Sequence, residues 1–216
     1  MNINSTLKIK ICGLKLVSEV LCAANYGVNW YGMIFVPNTP RYISINKAKL
    51  LITKTPPKLT PVAVTVDAKI EYIKDLIALG IKDFQLHGNE SINFCKDIKK
   101  KYKVNIIKAV KLSNSEDLNI AEKYSSIVDW ILFDYKDEVS FGGLGKTFDW
   151  NILSNQKLKF NWILSGGLHY TNIVKAINVT GAKALDVSSG VEKKRGVKSI
   201  KLMQKFCNTV NNFYGS

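Results

Sequence analysis

Eight short runs, rich in β-branched and aromatic residues, recur along the chain. They read "KIKIC", "NWYGMIF", "TPVAVTV", "DFQLH", "NIIKAV", "WILFD", "NWILSG" and "ALDVSS". With Cys12, Phe35, Asp67, His87, Lys111, Asp134, Gly166 and Ser188 as strand ends, successive ends lie 20 to 32 residues apart. Each interval holds one strand and one helix. The segments between are amphipathic. "KIEYIKDLIALG" sets Ile70, Ile73, Leu76 and Ile77 at helical spacing and stops at Gly80. "NESINFCKDIKKKY" offers Asn89 as a cap and turns Ile92, Phe94, Cys95 and Ile98 inward. Eight βα units without a linker predict an α/β chain with a single domain over residues 1–216, a closed (β/α)8 TIM barrel. Residues 1–6 form a short polar extension. An open doubly wound sheet is the alternative, because strand order is not written in one sequence. With 216 residues the loops must be brief.

The barrel assigns a direction to each side chain. Outward residues meet helices and inward residues fill the interior. Ile9 and Ile11 point out, so Lys10 and Cys12 point in. Phe84 and Leu86 point out, so Gln85 and His87 point in. By the same alternation Leu132 and Asp134 point in on the sixth strand, and Asp186 and Ser188 on the eighth. Ionisable groups from four strands thus converge at the C-terminal mouth, where barrel enzymes do chemistry. Unpaired buried charges are costly, which favours a functional cluster over core filling.

Two glycine stretches follow the last two strands. "LSGGLHYTNI" carries Gly166 and Gly167, and "DVSSGVEKKRG" carries Ser188, Ser189 and Gly190. Glycines let a backbone approach a ligand, and barrels often hold phosphate in these two loops. Together they point to a phosphorylated small-molecule substrate. "SFGGLGKTFDW", with Gly142, Gly143 and Gly145, lacks the phosphate-loop order and reads as a lid or a plain surface loop.

Composition excludes several other classes. No apolar run is long enough to span a membrane, and "MNINST" is no secretory signal, so a cytoplasmic protein without membrane association is expected. The formal charge of +14 is spread along the chain without a basic tail, which argues against nucleic acid as a partner and for attraction of a small anion. Cys12, Cys22, Cys95 and Cys207 show no paired spacing, so neither a metal site nor a disulfide framework is expected. Cys95 and Cys207 read as core residues, whereas Cys12 ends a strand.

The pieces "KICG", "RYIS", "QLHG", "FD" after an apolar strand, "GGLGKTFDW", "LSGGL" and "DVSSGVE" run in order from Lys10 to Glu192. In this the chain resembles the phosphoribosylanthranilate isomerase family of tryptophan biosynthesis. The resemblance implies a (β/α)8 barrel, no cofactor, and an Amadori rearrangement. N-(5-phosphoribosyl)anthranilate would become 1-(2-carboxyphenylamino)-1-deoxyribulose 5-phosphate. It implies that Cys12 is the general base, that Asp134 is the general acid, and that Arg41 faces the anthranilate carboxylate. Three positions depart from the family's pattern. Tyr135 replaces a small residue after the acid, and "RGVKS" puts Arg195 and Ser199 where the family has Pro and Asp.

The chemistry leaves questions open at this stage. A thiol has a reference pKa of about 8.5, so a base at neutral pH gains from a nearby cation. Lys10 lies on the same face and either serves that purpose or pairs with an inward acid such as Asp186. An acid must keep its proton, which burial of Asp134 would favour. His87 is either a proton shuttle or a hydrogen-bonded structural residue. Indole-glycerol-phosphate synthase chemistry is the nearest enzymatic alternative, and a silent anion-binding barrel the alternative of another class. A monomer is expected, with a dimer as the other state.

Overall fold

The structure, a computed structural model, describes residues 7–135, 149–154 and 156–215. Eight parallel strands close into a barrel in sequence order: β1 (Lys8–Cys12), β2 (Trp30–Ile34), β3 (Thr60–Thr65), β4 (Asp83–Leu86), β5 (Asn105–Leu112), β6 (Trp130–Tyr135), β7 (Trp162–Leu164) and β8 (Ala184–Val187). Pairing of β8 with β1 completes the ring and sets Lys10 opposite Asp186. Outside the ring lie α1 (Val17–Asn25), α2 (Ile45–Thr53), α3 (Ile70–Ala78), α4 (Ile92–Tyr102), α5 (Asp117–Ser125), α6 (Ile173–Thr180) and α7 (Ile200–Gly215). The open-sheet alternative is excluded by the closure.

The strand alternation separates two apolar layers. Ile9, Ile11, Phe84, Phe133 and Leu185 pack outward against the helices in one continuous core. Trp30, Val62, Ile107, Leu132, Ile163 and Ala184 fill the lower barrel interior as a second cluster. Full burial of each large apolar side chain stabilises the fold by about 1.5–3 kcal/mol. The lower end is closed by Trp30 and Trp130, whose rings meet edge to face at 5.3 Å. Above the apolar plug, the inward positions turn polar: Lys10, Gln85 and Asp186 are buried there.

Three local expectations are corrected. The connection from β6 to β7 shows no α-helix among the described residues, only a 3-10 turn at Trp150–Ile152 capped by Asp149. Helix α4 is capped by Ser91, whose Oγ accepts from the Phe94 amide at 3.1 Å, and not by Asn89. After β8 the chain forms a hairpin, β9 (Glu192–Lys194) and β10 (Val197–Lys198), before α7 begins. Ser199, in place of the family's Asp, still caps α7: its Oγ accepts from the Leu202 amide at 3.3 Å. The extension 1–6 and the candidate lid glycines Gly142, Gly143 and Gly145 lie outside the described residues.

Candidate active site

Strand β1 delivers two inward groups to the mouth. Lys10 is fully buried, and its Nζ stands 3.0 Å from Asp186 Oδ1. Burial works against the charged form of Lys10, but Asp186 and then Cys12 outweigh it, and its pKa stands above the ordinary value. The structure shows the pairing with Asp186, and the same ammonium also acts on Cys12 and opposes the rise of its pKa. Cys12, one turn of the pleat higher, is 5% exposed. All four cysteines are buried, Cys12 at its strand end included. Burial pushes the Cys12 thiol above its ordinary range. Lys10 and Lys198 oppose the rise, and Asp186 adds to it. Burial, with Cys22 adding to it, pushes Cys207 to about 12, and burial raises Cys95 to about 11.

A neighbouring glycine makes room for the thiol. Gly32 is the β2 partner of Cys12 in register, and a Cβ there would fall 2.7 Å from Cys12 Sγ. Any side chain would displace the sulfur.

Opposite, β4 and β6 supply a hydrogen-bonded row. Gln85 Nε2 lies 2.8 Å from His87 Nδ1, and His87 Nε2 lies 3.1 Å from Asp134 Oδ2. With the Gln85 amide donating to Nδ1, His87 carries its proton on Nε2 and donates it to Asp134. His87 and Asp134 are each 29% exposed, so the carboxyl opens toward the mouth and is less buried than expected. Gln85 Oε1 is buried and has no partner among the described residues.

Arg41, in the loop after β2, grips Glu192 of the hairpin with two bonds. Its Nε donates to Oε1 at 2.7 Å and an Nη to Oε2 at 2.8 Å. Glu192 also accepts from Lys198 Nζ at 2.9 Å and from the Gly196 amide at 3.0 Å. Burial raises the cost of its charge, yet Arg41 and Lys198 hold its carboxyl down at about 2. Lys198 itself is pushed below the usual lysine range by burial, against the pull of Glu192. Gly196, at φ 77°, lets the hairpin turn lie against the Pro40 carbonyl, and Arg195 projects from that turn into solvent. Pairing by the fork leaves the other guanidinium N–H groups directed away from Glu192.

The two glycine loops touch. A Cβ on Gly190 would strike the Leu168 carbonyl, so only glycine lets the loops after β7 and β8 meet. Gly166 and Gly167 both have positive φ, 89° and 65°. Their amides have no acceptor among the described residues, an arrangement suited to an anion. Ser189 is exposed beside them. Ser188 differs from expectation: its Oγ donates to the Cys12 carbonyl at 3.1 Å and accepts from Lys198 at 3.2 Å. That hydroxyl ties β8 to β1. Among the described residues no cluster of His, Cys, Asp or Glu is arranged to hold a metal.

Sequence reading missed Gly32, Glu192 and Lys198. The last two had a signal, because Arg195-Gly196 is a turn pair and Glu192 and Lys198 flank it.

Fold and mouth together define the class: a (β/α)8-barrel enzyme with its ionisable groups at the C-terminal ends of the strands. The family model for N-(5'phosphoribosyl)anthranilate (PRA) isomerase matches residues 9–209. An N-(5'-phosphoribosyl)anthranilate isomerase of Zymomonas mobilis subsp. mobilis is 37% identical over 207 residues, covering 95% of this chain and 98% of the relative. The crystal structure of the Thermotoga maritima phosphoribosyl anthranilate isomerase matches with a TM-score of 0.87 at 35% identity, covering 98% of this chain and 100% of that one. A PRA isomerase solved in complex with reduced 1-(o-carboxyphenylamino)-1-deoxyribulose 5-phosphate matches with a TM-score of 0.84 at 32% identity, covering 98% and 100%. The chain belongs to the PRA isomerase family.

Proposed function

We propose that this chain catalyses the Amadori rearrangement of N-(5-phosphoribosyl)anthranilate by general acid–base catalysis, as a step of tryptophan biosynthesis in the cytoplasm. The observation that carries the reading is the meeting of Cys12 and Asp134 at one mouth, with Arg41 fixed over the same strand end. A Cβ on Gly13, the residue after Cys12, would come within 3.0 Å of Arg41 Cδ.

Asp134 gives its proton to the ribose ring oxygen as the bond from that oxygen to C1 breaks. The anthranilate nitrogen lone pair forms a C=N bond. Cys12, as thiolate, takes the proton from C2, and those electrons form the C1=C2 bond of an enolamine while the nitrogen recovers its lone pair. Transfer of the enol proton to C1 gives the ketone. Arg41 holds the anthranilate carboxylate with its outer N–H groups. The amides of Gly166 and Gly167, with Ser189 and Gly190, hold the phosphate. His87, backed by Gln85, fixes the carboxyl of Asp134. The reading uses one domain and a small phosphorylated substrate, and it invokes no metal or cofactor. Among the described residues no helix is long and apolar enough to cross a membrane.

The reading favours the isomerase over indole-glycerol-phosphate synthase because a thiol at the end of β1 has a role only in the former. The test is to add the purified chain to freshly made phosphoribosylanthranilate and follow the loss of its fluorescence. Turnover is expected. No turnover from neutral to mildly alkaline pH overturns the reading.

A further inference from the structure

The outer face of β5 holds a residue that its neighbours do not lead one to expect. Ile106, Val110 and Leu112 point outward into the apolar core, and Lys108 sits among them. Lys108 and Glu90, from the loop before α4, form an ion pair at 3.1 Å, and both side chains are 3% exposed. A buried ion pair is often no more stabilising than apolar groups of the same size. Stability alone therefore gives no reason for these charges.

Their hydrogen bonds converge on one residue. His87 follows β4, and Lys108 Nζ donates to the carbonyls of both its chain neighbours, Leu86 at 3.2 Å and Gly88 at 2.7 Å. A further bond goes to the Ala109 carbonyl at 3.0 Å. The Glu90 carboxylate accepts from the Gly88 amide at 3.0 Å and from the Asp67 amide at 3.0 Å. The His87 amide itself donates to the Thr65 carbonyl at 2.8 Å. One ion pair thus holds the chain on both sides of His87 and ties it to the end of β3. The two loops meet closely, since a Cβ on Gly88 would fall 2.7 Å from the Asp67 nitrogen. Tyr124 of α5 covers the pair. Its ring lies 5.6 Å from Lys108 Nζ, and its hydroxyl donates to the Glu90 carbonyl at 2.9 Å.

The ring of His87 is engaged at both nitrogens, by Gln85 and by Asp134. A ring bridges two fixed partners only when its own backbone stands in the right place. We propose that Lys108 and Glu90 are positioning residues for the acid: they fix the backbone of His87, and the imidazole passes that placement to Asp134. Lys108 lies on the outward face of the barrel wall, so it acts through His87 and does not meet the substrate. This rests on the acid–base reading above.

The test reads the His87 ring directly. The chain has two histidines, His87 and His169, so ring-nitrogen NMR of protein labelled at histidine gives two sets of signals, assigned with His169→Gln. In the wild type at mildly alkaline pH, His87 should show one tautomer, with its proton on Nε2, and Asp134→Asn should move its signals. The double variant Lys108→Met with Glu90→Gln removes both charges together and so leaves no buried ion unpaired. In that protein the tautomers of His87 should mix, and Asp134→Asn should hardly move the signals. In steady-state assays its kcat should fall by roughly tenfold with KM little changed, as for a reacting group set slightly out of place. Adding His87→Ala should cost nothing further, because the pair acts only through that ring. His87 signals that match the wild type in the double variant, or losses of kcat that add, overturn the proposal whatever happens to the melting temperature. Should the double variant fail to fold, Glu90→Asp, which keeps the charge and shortens its reach, carries the same comparison. The ring signals need no substrate. A wild type without turnover sinks the isomerase reading and leaves the placement of His87 to be decided by NMR, whereas turnover with unmoved ring signals overturns only the role of Lys108 and Glu90.

Discussion

His87 Nε2 stands 3.1 Å from Asp134 Oδ2, and the other ring nitrogen of His87 is held by Gln85 at 2.8 Å. One carboxyl oxygen is thereby fixed from β4, and the other is left for the substrate. The geometry makes His87 a residue that acts through Asp134. Asp134→Asn, which keeps shape and removes the transferable proton, should lower kcat by ~10²–10⁴-fold with KM little changed. His87→Ala should cost ~10-fold in kcat in the wild type and almost nothing in the Asp134→Asn background, because a shared role is not lost twice. Additive losses in steady-state assays of the four proteins would separate His87 from Asp134.

Arg41→Ala should raise KM for phosphoribosylanthranilate by ~10–100-fold, the range for losing a charge-assisted, two-pronged contact. An analogue whose ring lacks the carboxylate should respond much less. Equal loss on both substrates would mean that Arg41 only anchors the hairpin through Glu192.

Gly32→Ala tests the space beside the thiol. The added methyl would lie 2.7 Å from Cys12 Sγ and 3.2 Å from both Cys12 Cα and Val64 Cγ2. Two of the three neighbours are fixed in the barrel, so the sulfur must move. Overpacking of this kind costs ~1–3 kcal/mol of stability, read by urea unfolding. The loss of kcat should exceed what that destabilisation explains, since a shift of about 1 Å in a reacting group costs ~10²-fold. A Gly32→Ala enzyme with normal kcat would show that the thiol position is not critical.

The contrast between legible and hidden features is physical. Inward and outward faces were readable because a strand alternates with period two, so Ile9 and Ile11 disclose the direction of Lys10 and Cys12. Partners were readable only where both face inward, as Lys10 and Asp186 do; Arg41 and Glu192 were not, because the loop and the hairpin meet only in the closed ring. Lys10 and Asp186 are 176 residues apart, and Arg41 and Glu192 are 151 apart. Spacing in the chain says nothing of such pairs. The sixth connection was read as a helix from its length alone, whereas the described part is a 3-10 turn. Burial of Cys12 is not legible in one strand either: it depends on Gly32 and Val64 of the neighbouring strands.

Glu192 predicts a pH dependence of stability. Its carboxyl titrates near 4.5 when unperturbed and at about 2 in the folded protein. A depressed folded pKa contributes stability that is fully present above the unfolded value and lost as pH falls toward the folded one. The contribution, at most roughly 3 kcal/mol, should therefore disappear between pH 4.5 and about 2. Urea unfolding should show the wild type more stable than Glu192→Gln at neutral pH, with the gap closing across that window. A gap that persists to the acid end would place the stabilisation elsewhere.

Lys10 and Asp186 give the last test, which concerns why a strand carries a lysine and a thiol on one face. Removing one member of a buried ion pair leaves an uncompensated charge, at a cost of about 3–5 kcal/mol. Lys10→Met should therefore lower stability sharply. It should also raise the pH at which Cys12 ionises, since Asp186 would then face the thiol unopposed. The double variant Lys10→Met with Asp186→Asn removes both charges. It should recover much of the stability but leave the thiol harder to ionise than in the wild type, because Lys10 acts on Cys12 more strongly than Asp186 does. Unfolding curves and the thiolate titration of the three proteins check both parts. If the double variant ionises as poorly as Lys10→Met alone, Lys10 activates Cys12 directly. If the thiol recovers, Lys10 is the counter-ion that lets β1 and β8 close the ring with an acid at its centre.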